Sequence, residues 1–362
     1  MKILILCTTD SMIWNFLIPH IKNLMGGDKN IECACAKTGF YFNELKQILG
    51  VQMYEIGFER SPYNFNNIHA YFQLKQLVKQ NKYDIIFCHE PVGGAMGRIV
   101  GHFCKVKVFY MAHGFHFYKG APKSSKIYYY IEKILSRWTD TLITINQEDY
   151  DASLSFDAKH NVKVPGIGVD ISQFKYAPCK DYMRKEFNLA DNDVAILSVG
   201  ELIKRKNHTT VIDAMSYLDE RFHYFIAGEG PEQPHLEEQV KKLCLEKRVH
   251  FLGFRKDINK LCNSANVFVM PSLQEGLSVA LMEAMACGKP IVASRIRGNT
   301  DLIIEELGGY LVSTCVAKEY ADKILKISED TGLSNNMSSF NINHVRNFDL
   351  STVASYLQKI FQ

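Results

Sequence analysis

No apolar run in the sequence approaches the roughly 18 to 20 residues needed to cross a bilayer, which excludes a helical membrane span. The amino terminus, MKILILCTTD, meets polar residues too soon for a secretory leader and reads as a first buried strand. An excess of one charge is also lacking. The 42 Lys and Arg against 39 Asp and Glu leave +3, so overall charge gives no argument for nucleic acid. Ten cysteines are present, but without paired zinc-site spacing. Cys33 and Cys35 are two apart, and Cys7, Cys88, Cys104, Cys244, Cys262 and Cys287 sit in apolar runs. They read as buried thiols of a reducing compartment, not a disulfide framework. Neither an internal repeat nor a low-complexity tract is found. These absences imply a cytoplasmic protein, soluble or peripheral on the cytoplasmic face of the membrane.

What is present is enough apolar residue, 47% of 362, to bury two cores of ordinary size. KILILC, DIIFCHE, KVFYMAH and TLITIN in the first half are short apolar runs separated by longer segments of helical period. VAILSVG, HYFIAG, VHFLGF, NVFVMPS and PIVAS form a second series. Continuous apolar strands alternating with helices signal parallel sheets covered on both faces, so two doubly wound, Rossmann-like α/β domains are predicted. The periodicity breaks at Pro165, Gly166, Gly168 and Pro178, and the second sheet is expected to begin near Val194. The predicted domains are 1–170 and 171–345, with a tail helix over 346–362 that could pack back on the first. Ligands of such sheets bind outside the carboxyl ends of the strands, so two facing domains would hold a site in the cleft between them.

PSLQEGLSVALMEAMACGKPIVAS, residues 271 to 294, reads as strand, turn, helix and strand, with the helix over 277–287. Backbone N–H groups around Gly276 to Val279 could hold an anion such as phosphate at the helix start. Glu275 and Glu283, eight apart, could accept hydrogen bonds from sugar hydroxyls. Equally, Glu275 could merely favour a positive helix end and Glu283 be an exposed charge. SVGELIKRKNHTT, residues 198 to 210, brings Arg205 and Lys206 to the same edge as a phosphate clamp or as a solvated basic turn. FIAGEGPEQ leads into Gly228 and Gly230 but lacks the third glycine of a dinucleotide fingerprint.

In the first half, His113 and His116 flank Gly114 at a strand end, and one of them could face a ligand. As a metal pair they lack an evident third ligand. Gly93, Gly94, Gly97 and Gly101 fit close helix-sheet packing better than phosphate binding, and Asp191–Asn192–Asp193 fits a turn better than a metal site. Between Arg98 and Arg137 eight Lys/Arg accompany one acid, Glu132, interleaved with aromatics that include Phe103, Tyr110 and Tyr128 to Tyr130. That composition suits an anionic membrane interface or an ordinary solvated face; nucleic acid is the weakest of the readings.

Taken together these motifs resemble glycosyltransferase family 4, retaining sugar-nucleotide transferases of the GT-B fold. VG, then KN, at 199 to 207, IAGEGPE at 226 to 232, VHFLGF at 249 to 254 and the E-x7-E pair Glu275/Glu283 carry the resemblance, in that order. HGFHFY at 113 to 118 and TDTLITINQEDY at 139 to 150 are similar to the capsule and exopolysaccharide branch. The resemblance implies that Glu283 binds the donor ribose and that Glu275 contacts the donor sugar and supports catalysis. It implies that Gly276, Leu277 and Ser278 lie beside sugar and diphosphate, with Gly200 and Gly228 at the donor. Lys206 would neutralise the diphosphate, and His113 would stand near the reacting centre. Where relatives often carry Arg after the VG glycine, this chain has Glu201, a gap that Arg205 could fill. The implied reaction takes a sugar from a nucleotide diphosphate, UDP foremost and an N-acetylhexosamine among the candidates, to a lipid-linked or glycan acceptor. No metal and no cofactor are expected. A sugar-nucleotide epimerase on the same fold, or a silent partner in a polysaccharide assembly complex, are the alternatives.

Overall fold

A computed structural model describes residues 1–39 and 41–362. The chain forms two compact units, Met1–Ile167 with Leu350–Gln362, and Gly168–Asp349.

The first unit is built on a seven-stranded parallel sheet: β1 (Lys2–Thr9), β2 (Asn30–Ala36), β3 (Gln52–Glu55), β4 (Ile85–His89), β5 (Lys107–Ala112), β6 (Thr141–Thr144) and β7 (His160–Lys163). Their spatial order is β3-β2-β1-β4-β5-β6-β7. The interior strand β1 places Ile3 beside Ile31 on one side and Ile85 on the other. The order reverses between β1 and β4, and ligands of doubly wound sheets bind at the carboxyl end of such a point. The apolar runs did not disclose β2, β3 and β7. NIECACA mixes small and charged residues, and the two edge strands are only four residues long.

Helices cover both faces of this sheet. Pro91–Cys104 lies so close that a Cβ on Gly101 would meet Val108 Cγ2 at 2.2 Å, which is the packing role expected for its glycines. The carboxyl-terminal helix Leu350–Ile360 packs on the helix Ile18–Met25, and the Phe361 ring lies 5.0 Å from Phe87 and 5.1 Å from Phe109. A π-helical turn, Ile13–Leu17, precedes Ile18–Met25 and widens the winding just before His20.

Arg98, counted in the sequence among the residues of a basic face, is instead fully buried. Its guanidinium grips Glu132 of the helix Lys126–Ser136 through two hydrogen bonds, 2.6 and 3.2 Å, and stacks 4.0 Å over the Tyr110 ring. Tyr110 and Phe115 are likewise core residues. The surface of that span is therefore narrower than composition suggested.

The second unit carries a six-stranded parallel sheet: β8 (Val194–Val199), β9 (Phe222–Ala227), β10 (Val249–Gly253), β11 (Val267–Met270), β12 (Ile291–Ser294) and β13 (Gly309–Val312), ordered β10-β9-β8-β11-β12-β13. Its reversal falls between β8 and β11. All ten cysteines are free. Cys244 and Cys315 are exposed, which corrects the expectation of burial for Cys244: it sits at φ 55 in the turn after a helix, with its side chain outside the core.

Removing Glu132 would leave a buried guanidinium without its counter-charge, which typically costs about 3 to 5 kcal/mol. Glu132→Ala is expected to lower the urea midpoint of unfolding by a corresponding amount, read by circular dichroism.

Candidate functional site

Two loops meet at the reversal point of the second sheet. The first follows β8 and runs from Gly200 through a 3-10 turn, Lys204–Lys206, to Asn207, the residue before the helix His208–Ala214. The second follows β11 and runs from Pro271 to Ser278, which caps the helix Val279–Ala286 by accepting a hydrogen bond from Leu281 N–H at 3.3 Å. The helix thus starts at Val279, two residues later than its apolar pattern predicted, because the Ser278 hydroxyl supplies the cap. Leu277 and Ser278 are buried and Gly276 is half-buried, immediately before the helix start.

Glu275 ties the loops together. Its carboxylate accepts from Lys206 Nζ at 2.8 Å and pairs with Arg205 Nη1 at 3.2 Å, while only 8% of the residue is exposed. Arg205 also donates to Gln274 O at 2.8 Å, and its own carbonyl accepts from Leu273 N–H at 2.8 Å. Burial works to raise the Glu275 pKa, but Lys206 and Arg205 outweigh it and hold the carboxyl below its usual range. Glu201, in contrast, is exposed.

Glycines let the backbones approach. A Cβ on Gly228, at the end of β9, would stand 1.9 Å from Gly200 O, so this contact between the β8 and β9 turns tolerates glycine alone. At Gly200 the space that a side chain would take is filled by the Lys206 stem, whose Cε lies 3.2 Å from the would-be Cβ.

Glu283 lies in the second turn of the helix Val279–Ala286. Unlike Glu275, its carboxylate has no hydrogen-bond or ionic partner among the described residues, and burial raises its pKa to about 7. Two carboxylates eight residues apart are therefore pushed in opposite directions, a pattern that separates roles.

Residues to which the motifs gave no role complete the site. Asn207, at φ 53, donates to Pro271 O at 3.1 Å and Thr314 O at 2.9 Å, pinning three loops. Arg297, 5% exposed, donates from Nε to Glu275 O at 3.1 Å. The basic residue of SRIRGN after β12 was the available signal, since that loop also follows a strand at the carboxyl edge.

In the first unit, His113 follows β5, and its Nε2 lies 3.0 Å from Nδ1 of His89, the last residue of β4. His89 is fully buried, and burial followed by charge on His20 pushes His113 down to about 3. His116 is exposed against Tyr128 and is not brought to His113. The loop is anchored by Phe115 N–H and Lys119 N–H, which donate to Asp149 and Glu148 at 3.1 and 2.6 Å. Glu90, beside His89, holds φ 62 and ψ 162, a conformation otherwise left to glycine. Its carboxylate accepts from Thr8 and Thr9 N–H at 2.8 and 3.1 Å, so β1 and β4 are tied at their own reversal point. Asp191 to Asp193 form a turn closed by Ala190 N–H on Asp193 at 2.7 Å. Among the described residues no group of three or more His, Cys, Asp or Glu is arranged to hold a metal ion.

Two doubly wound parallel sheets, with paired carboxylates and a lysine at the switch point of the second, define the class: sugar-transferring enzymes of the GT-B fold. Comparison with known proteins agrees. Residues 180–344 match the family model described as Glycosyl transferases group 1, and residues 2–146 match Glycosyl transferase 4-like. The putative glycosyltransferase EpsD of Bacillus subtilis (strain 168) is 33% identical over 336 residues, spanning 89% of this chain and 86% of the relative. The UDP-Gal:alpha-D-GlcNAc-diphosphoundecaprenol alpha-1,3-galactosyltransferase of Escherichia coli is 30% identical over 72% of this chain and 70% of its own. The crystal structure of Anabaena HepE in complex with UDP superimposes with a TM-score of 0.84 at 21% identity, covering 100% of this chain and 99% of the other. The chain belongs to the group 1, family 4 glycosyltransferases of the GT-B fold.

Glu283 gives a stability signature of its own. Its folded pKa of about 7 lies above the unfolded carboxylate value, so the folded state gains a proton relative to the unfolded one in between. Stability from this group is present at low pH and is lost as pH rises toward 7. Glu283→Gln, which does not titrate, is expected to gain on the wild type by up to about 3 kcal/mol between pH 4 and pH 8. Urea unfolding at both pH values measures it.

Proposed function

We propose that the chain transfers a sugar, with retention of anomeric configuration, from a UDP-sugar to a lipid-linked glycan acceptor in surface polysaccharide synthesis. The observation that carries the reading is Glu283, a partly buried carboxylate with no hydrogen-bond or ionic partner among the described residues, in the helix that follows the loop of the Lys206–Glu275 pair. A vicinal diol such as ribose offers two O–H donors to such a group and would favour its ionised form. The E. coli relative's name specifies a UDP-galactose donor and a diphosphoundecaprenol-linked acceptor, and the HepE structure contains UDP. Both support the same pairing of substrates here.

The chemistry follows from charge. The bond from the anomeric carbon to the diphosphate oxygen breaks, its electron pair leaves with UDP, and the sugar takes on oxocarbenium character. An acceptor hydroxyl attacks from the face the leaving group departs, and its proton passes to the departing phosphate. Lys206, Arg205 and the N–H groups at the start of the helix Val279–Ala286 are fixed positive groups for the leaving charge. Being already in place, they lower the barrier without reorganising. Glu275 holds Lys206 and Arg205 in position and contacts the donor sugar, and His113 serves the reacting centre. This assignment needs no metal.

A panel of nucleotide sugars incubated with polyprenyl-diphosphate glycans and read by mass spectrometry tests the reading. One UDP-sugar is expected to yield an extended acceptor. Lys206→Ala is expected to lose about 10²- to 10³-fold in kcat, and Arg205→Ala to weaken donor binding. No product from any donor, together with no rise in Tm on adding UDP, would sink the proposal.

Contact with the membrane surface belongs to the same reading. The helix Lys126–Ser136 exposes Ile127, Tyr130, Ile131 and Ile134, spaced i, i+3, i+4 and i+7, between 43 and 60% each. Lys123, Lys126 and Lys133 border this stripe. Cations beside an apolar face fit an anionic lipid surface, each contributing about 1 kcal/mol. An adjoining pocket of about 410 Å³ is lined by Phe117, Tyr129 and Tyr130 with Lys119 and Lys126 and the acids Glu148 and Asp149, and its aromatic rings offer apolar contact to part of a lipid-linked acceptor. Ile131→Asp with Ile134→Asp is expected to cut sedimentation with phosphatidylglycerol vesicles at least tenfold while leaving the UDP-induced Tm shift intact. Unchanged sedimentation would remove this helix from the membrane contact.

A further inference from the structure

The amino edge of the second sheet, opposite the edge that carries Glu275 and Lys206, holds a pocket of about 210 Å³. Val194 and Val267, the first residues of β8 and β11, lie in its wall. Its charge is one-sided. Lys180 and Lys289 line it, and no Asp or Glu does. Lys180 is exposed, whereas Lys289 is part of the structure, with only 8% of the residue exposed. The Lys289 N–H donates to Ala284 O at 3.0 Å and its carbonyl accepts from Asn341 Nδ2 at 2.8 Å, so the backbone here is held on both sides.

Lys289 Nζ donates to the carbonyl of Ala265, another residue of the pocket wall, at 3.0 Å, and has no second acceptor among the described residues. Ala265 follows the helix Ile258–Ser264, so this contact meets a carbonyl end, where a cation is favoured. Yet one carbonyl satisfies one of three N–H donors and offsets little of the cost of burying a full charge. Burial lowers the Lys289 pKa, and no carboxylate stands among its electrostatic neighbours.

The facing wall is polar and neutral. Thr331, Ser334, Asn335 and Ser338 stand at i, i+3, i+4 and i+7 of the helix Thr331–His344, so they share one face, and all four line the pocket. None of these four side chains has a hydrogen-bond partner among the described residues. Ser338 Oγ lies 2.6 Å from where a Cβ on Gly288 would be, which brings the hydroxyl wall against the turn that precedes Lys289.

We propose that this pocket is a phosphate-binding site separate from the donor site, in which Lys289 supplies the charge and Ser334, Asn335 and Ser338 supply hydrogen bonds. A tetrahedral dianion presents acceptors in several directions at once, which suits one ammonium point charge surrounded by O–H and amide N–H donors. Inorganic phosphate and the phosphoryl group of a small phosphorylated metabolite offer the same oxygens. The site stands independently of the sugar-transfer reading, since none of its residues belongs to the loops after β8 and β11.

Isothermal titration calorimetry of the full chain at pH 8, with sodium phosphate and with glycerol 3-phosphate at ionic strength held constant by NaCl, tests the proposal. One-site binding is expected in the wild type and also in Lys206→Ala. Lys289→Met, which keeps the apolar stem and removes the charge, is expected to lose at least about tenfold in affinity, as is Ser334→Ala with Ser338→Ala, because hydrogen bonds to a charged group are lost. Tighter binding of glycerol 3-phosphate identifies a phosphorylated metabolite as the ligand, and equal binding identifies inorganic phosphate; both support the site. Unchanged affinity in either variant would overturn the proposal, as would no binding of either anion by the wild type. Binding lost in Lys206→Ala but kept in Lys289→Met would place the anion at the donor site and overturn it as well. If Lys289→Met fails to fold, the double serine variant decides, since both of its positions are only half-buried.

Discussion

The grip of Glu275 on Lys206 and Arg205 is the contact on which the second unit's site depends. It joins the loop after β8 to the loop after β11 at the point where the strand order reverses. A carboxylate only 8% exposed would be costly to hold ionised if alone. Two cations make it tolerable, and it in turn keeps two flexible side chains in one place. Close backbone packing of Gly200 against Gly228 and the clasp of Asn207 on Pro271 and Thr314 give that arrangement a rigid floor. Two positive side chains are thus fixed at the carboxyl edge of the sheet by the protein's own contacts.

The pair Glu275 and Glu283 shows how environment separates two identical side chains. One meets opposite charges and stays ionised; the other meets only desolvation and is raised to about 7. Charge already satisfied by the protein is structural as well as chemical. Charge left unsatisfied shows instead as a raised pKa. The same contrast recurs in the first unit, where Arg98 is fully satisfied by Glu132 and Tyr110, while the histidines keep nitrogens without partners. There Glu90, held at a glycine-like backbone angle by the N–H groups of Thr8 and Thr9, fixes the β1 and β4 ends beside His89.

Much of the fold was legible in the chain. Long Val/Ile/Leu/Phe runs marked nine of the strands, because a strand buried on both faces must be apolar throughout. β2, β3, β7 and β13 escaped, being short or built from small and mixed residues whose burial comes from their neighbours. Serine at 278 set the helix start by its side chain, which an apolar pattern does not register. Cys244 looked buried by its neighbours in sequence, yet a left-handed turn at the end of a helix directs it outward.

The sequence by itself determined the two doubly wound α/β units and brought Glu275, Arg205, Lys206 and His113 to loops after strands and Glu283 to the helix that follows, because strand and helix periods and glycine turns are local properties. Only the tertiary structure decided which charges meet. Lys206 and Glu275 are 69 residues apart, and Arg98 and Glu132 34. Desolvation and ion pairing depend on such distant neighbours, so they exist only once the sheets have assembled.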